Sequence, residues 1–155
     1  MRYLYIALVI GLISSTAISL YLYVIEAFTG KQLFTLLLNI DFIYTPSESV
    51  PENVYQAFEY SLHVLVATLI VCVYLYIITK KKSLWERRME IAGLLSFIAF
   101  LTYFPLTILA KTTTPAPTDL VAIFDWFIAH VIFFFNLYYL TEWMMNKVKV
   151  TKESS

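Results

Sequence analysis

The sequence predicts an all-α fold: an integral membrane bundle of four antiparallel helices, with both termini on the cytoplasmic side. Three observations predict it. Of 155 residues, 60% are hydrophobic and 14% charged, against about a quarter charged in an ordinary globular domain. Four apolar runs each approach the roughly 20 residues that carry a helix across a ~30 Å hydrocarbon core. Nine of the eleven lysines and arginines fall on one side of those runs.

The first run covers about residues 3–28. It is longer than the ~7–15 residues of a secretory h-region and ends in no small-x-small site, so it is expected to stay as a helix. Gly11, Ser15, Ser19, Leu22 and Glu26 fall within roughly 80° on a helical wheel. This is a seam of small residues on which a second helix can approach closely, and it ends in a carboxylate. The loop that follows, GKQLFTLLLNIDFIYTPSESVPEN, begins apolar, and a short interfacial or re-entrant helix is expected at about 31–40. Its proline-punctuated second half reads as an exposed loop.

The second run covers about 54–79, the third about 91–110 and the fourth about 120–143. Unpaired backbone groups are not tolerated in lipid, so all four runs must be helices. The third has its own seam of Gly93, Ser96, Phe100, Tyr103 and Thr107, and Pro105 is expected to kink it by freeing the Leu101 carbonyl. Thr118 is expected to cap the fourth helix, with Asp119 in its first turn. The segment from Thr151 to Ser155 reads as a disordered tail. One transmembrane domain, 1–155, is expected, with no internal repeat.

Orientation comes from the basic residues. Arg2, Lys80, Lys81, Lys82, Arg87, Arg88, Lys147, Lys149 and Lys152 lie on one side, and Lys31 and Lys111 on the other. The positive-inside rule makes the first side cytoplasmic in a multi-pass protein of the cell membrane. Lipid headgroups are a second reading of the basic loop. A net charge of zero gives no reason to expect a nucleic-acid partner.

Ionisable groups inside membrane spans are costly, which makes them candidates for function. Glu59 and His63 are spaced i,i+4 on one helical face and are expected to meet. Asp125 and His130 lie about 140° apart on theirs. With the helices alternating in direction, Glu26, Glu59, His63, Asp125 and His130 all gather in the outer half of the bundle, while the inner half has no comparable cluster. Carboxylates with imidazoles suit a divalent metal or a proton relay, and two facing histidines could ligate a haem. The plain alternative is that the carboxylates are hydrated near the headgroups and His63 merely bonds to Glu59.

Enzyme signatures are absent: three glycines build no Walker loop, and neither GxSxG nor HExxH occurs. Cys72 is the single cysteine, in an apolar run, and reads as an inert thiol. The stretches LLLNIDFI, EYSLH and PAPTDL resemble those of small four-helix membrane proteins of Gram-positive bacteria. That resemblance covers about half the chain and implies no activity, because none is assigned to the family. The expectation is therefore a non-catalytic protein of the bilayer that binds an ion, proton or small solute at its polar cluster. Two alternatives stay open: an accessory or assembly subunit of a larger membrane complex, and a metal- or haem-binding protein. Transport would need a homo-oligomer, since four helices enclose little room. No particular cofactor is specified.

Overall fold

A computed structural model describes residues 2–46 and 50–146. Residues 47–49 of the polar loop, Lys147, Lys149 and Lys152, and the tail read as disordered lie outside the described residues. Among those described there are only helices, turns and loops. Four helical segments are long and apolar enough to cross a membrane: Arg2–Thr29, Glu52–Lys80, Arg88–Leu109 and Leu120–Asn146.

Helix α1 (Arg2–Thr29) buries the face that carries Gly11, Ser15, Ser19 and Leu22. It stops at Gly30, whose φ of 71° is the left-handed conformation that glycine adopts without strain. The short helix α2 (Leu33–Leu38) then turns back into the bundle, burying Leu33, Leu36 and Leu38. The apolar start of the loop is thus packed against the core rather than lying on its surface.

Helix α3 (Glu52–Lys80) starts after Pro51. A tight connection through α4 (Lys82–Glu86) leads to α5 (Arg88–Leu101), and α6 (Tyr103–Leu109) continues it after a break at Thr102. Pro105 has no N–H to give the Leu101 carbonyl, and the helix is interrupted at Thr102, between α5 and α6; the Thr102 hydroxyl donates to the Ala99 carbonyl. Helix α7 (Leu120–Phe135) passes through a π-helical turn, Asn136–Leu140, before its last residues, 141–146.

The cap of α7 differs from expectation. Asp119, not Thr118, is the N-cap: its Oδ1 accepts from the Val121 and Ala122 amides at 3.1 and 3.2 Å. The last non-helical residue is the one whose side chain can reach those amides, and here that residue is Asp119. Lys31 pairs with its other oxygen. The Lys31 ammonium, then the helix amides, hold the Asp119 carboxyl below the usual carboxylate range.

Helix α1 packs on both α3 and α7, and α5 packs on α7. The neighbour order is α3–α1–α7–α5, which leaves α3 and α5 only lightly in contact. The core is strictly apolar at Ile6, Ile10, Leu22, Val71 and Leu137, but buried hydroxyls lie among these residues at Ser14, Ser15, Ser19 and Thr68.

Candidate functional site

The light contact between α3 and α5 leaves a cavity of about 410 Å³, walled by α3, α5, α6 and α7, with residues Leu37 to Ile43 at one end. Most of its lining is aliphatic or aromatic. Val66 and Ile98, on α3 and α5, both line it and are 55% and 53% exposed, so it opens sideways between those two helices.

Three of the five ionisable residues singled out in the sequence meet here: Glu59, His63 and His130. His130 is only 7% exposed. Its Nδ1 lies 2.8 Å from the Trp126 carbonyl; a carbonyl can only accept, so Nδ1 carries the hydrogen and, in the neutral ring, Nε2 is an acceptor. The indole of Trp126 lies tilted at 39° to the imidazole, 5.1 Å between ring centres, and is itself fixed by its Nε1, which donates to the Phe100 carbonyl at 3.1 Å. His63 Nε2 is buried without a hydrogen-bond partner among the described residues, and its ring lies near enough to His130 to interact electrostatically.

Glu59 and His63 share the cavity wall as their spacing demands, but among the described residues no hydrogen bond or ion pair joins them. The carboxylate is turned along its helix toward Tyr55 and toward the Ile40 backbone. His63 shares the cavity wall with the other histidine as well.

Glu26 and Asp125 lie elsewhere. Glu26, in the last turn of α1, accepts from both the amide and the hydroxyl of Thr35, each at 2.9 Å, and so holds the start of α2. Asp125 lies on the face of α7 that meets α1, where the Tyr21 hydroxyl donates to it across a long 3.5 Å. The ~140° between Asp125 and His130 puts them on different faces of α7.

Two residues that pattern-reading passed over position the site. Asp41, buried at the start of the turn after α2, accepts from the Lys111 amide at 3.0 Å and the Thr112 amide at 2.6 Å. Asn39 accepts from the Asp41 amide at 2.8 Å and its own side-chain amide donates to Thr112. Burial pushes the Asp41 carboxyl up, but the Lys111 and Thr112 amides outweigh it and hold the group below the usual range. This staple ties the segment that closes one end of the cavity to the connection between α6 and α7. The signal was an aspartate within an apolar run, LLLNIDFI.

The opposite end of the bundle also carries an ion pair. Arg88 pairs with Glu142 at 2.7 Å and lies 5.1 Å from the Trp85 ring and 5.5 Å from Tyr138. The Tyr74 hydroxyl donates to the Arg88 carbonyl at 3.1 Å. Here the guanidinium lies against two aromatic rings while Glu142 neutralises it.

Among the described residues no three histidine, cysteine or carboxylate side chains stand together as a metal-ligand set. Cys72 is a free, half-buried thiol. No known protein-family model matches this sequence, and no curated protein and no solved structure is significantly similar to it.

Proposed function

We propose that this chain is a non-catalytic, multi-pass protein of the cell membrane, both termini cytoplasmic, that binds a small and mainly apolar solute in the cavity between α3 and α5. The observation that supports this reading is the cavity itself. Its volume of about 410 Å³ falls in the range of small-molecule sites, roughly 300–1,000 Å³, which are mostly apolar with a few placed polar groups. Glu59, His63 and His130 are those groups here. The lateral opening at Val66 and Ile98 faces the hydrocarbon when the four long helices span a bilayer, so an apolar solute enters from the lipid.

Filling the cavity tests this. Ala99 lines it and is half-buried, so Ala99→Phe should occupy part of the space without adding a second indole to the cavity. Binding of 1-adamantanol to the full chain in lipid nanodiscs, read by the emission of Trp126 against a Trp126→Phe control, should be saturable and at least ~10-fold weaker in Ala99→Phe, the scale of 1.4 kcal/mol of lost contact. Equal binding by the filled variant would refute the site.

A further inference from the structure

Resting on that cavity reading, we infer that the solute it takes is a lipophilic amine: an apolar body with a protonated amino head. Among the described groups on the wall, most hydrogen-bond donors are already committed, the exceptions being the one ring hydrogen of neutral His63 and the second hydrogen of the Asn39 amide. Trp126 Nε1 donates to the Phe100 carbonyl, the Thr102 hydroxyl to the Ala99 carbonyl, the Asn39 amide to Thr112, and His130 Nδ1 to the Trp126 carbonyl.

What remains is mainly acceptor capacity. In the neutral ring His130 keeps an Nε2 lone pair, and His63 Nε2 has no partner and becomes a second acceptor when its hydrogen sits on Nδ1. Glu59 has two oxygens with about four acceptor positions, more than Tyr55 and the Ile40 amide fill. A ligand that offers acceptors alone, such as a carboxylate, would find few donors among these groups and would meet Glu59 as a like charge. An ammonium offers three donors and no acceptor. It also brings the counter-charge for Glu59 and can lie against the faces of aromatic rings such as Trp126. The polar residues sit on a largely apolar wall, which matches the division of such a molecule into head and body.

The test keeps the body constant and changes the head. Wild-type full chain in nanodiscs at neutral pH would be titrated with 1-adamantylamine, 1-adamantanol and 1-adamantanecarboxylate, following Trp126 emission with the Trp126→Phe control. The expected order is amine tightest, alcohol weaker, carboxylate weakest by at least tenfold. Glu59→Gln should weaken the amine about tenfold and leave the alcohol unchanged, whereas His63→Ala should weaken both. Carboxylate binding as tight as the amine overturns the inference while leaving the cavity reading intact, as does an amine affinity indifferent to Glu59→Gln. If none of the three heads binds, the cavity reading fails together with it. The comparison of heads on the wild-type chain stands even where a variant does not fold.

Discussion

At the scale of single residues, the most consequential is Asp41. One buried carboxylate satisfies two amides of a connection some seventy positions away. Hydrogen bonds to a charged group contribute about 1.5–3 kcal/mol each, so Asp41→Ala should lower stability by about 2 kcal/mol or more, read as a drop in Tm of the purified protein. The pH dependence has a definite sign. Because the folded carboxyl is held below its ordinary value, its contribution is complete above the unfolded pKa of about 4 and is lost as pH falls through the folded value. Wild-type Tm should therefore fall on acidification below about pH 4, and Asp41→Asn should flatten that fall. An acid profile unchanged by Asp41→Asn would mean that the staple carries no net charge-dependent stability. The five ionisable positions could be ranked from sequence because burial of charge in a span is costly wherever it occurs. Their partners could not: whether Glu59 turns to His63 or to the Ile40 backbone depends on where α2 brings residues 39–41, a tertiary fact that no spacing along one helix contains.

Among the elements, the seam of α1 decides how closely two helices lie. A Cβ at Gly11 would stand 2.8 Å from the Cα of Thr68 on α3, a contact with backbone that no rotamer change relieves. Gly11→Ala should push α1 away from α3 and cost about 1–3 kcal/mol, the usual penalty for overpacking, measurable as reduced resistance to denaturation by a strong detergent. Thr68→Ala should not restore the loss in full, because the Cα remains; complete rescue would show that only the Thr68 hydroxyl limits the approach. The seam was legible because small residues at helical spacing mark close helix pairs, and so was the interruption near Pro105. The π turn at Asn136–Leu140 was not, since its residues carry no helix-breaking signal. Nor was the inward turn of α2: its leucines suit an interface and a core equally, and only the Glu26–Thr35 bonds show how its start is fixed.

For the whole molecule, the four long apolar helices were readable from length and composition, because lipid is the solvent that accepts so much apolar surface. Their order around the bundle was not, since helix adjacency is set by side-chain fit. Orientation rests on the charge asymmetry and is testable directly. In a Cys72→Ser background, a cysteine at Thr113 should react with an impermeant maleimide in intact cells, and one at Ser83 only after permeabilisation; the reverse pattern would invert the topology. The neighbour order α3–α1–α7–α5 also sets a timetable for assembly. A chain made from its N-terminus presents α1 first, and α3, next to emerge among the long helices, docks directly on it. The third long segment, α5 with α6, then finds little to hold, because its main neighbour is α7, which is made after it. A nascent chain halted after α6 would carry a finished hairpin and an unmoored third segment, so the two walls of the cavity face each other only once α7 has been made.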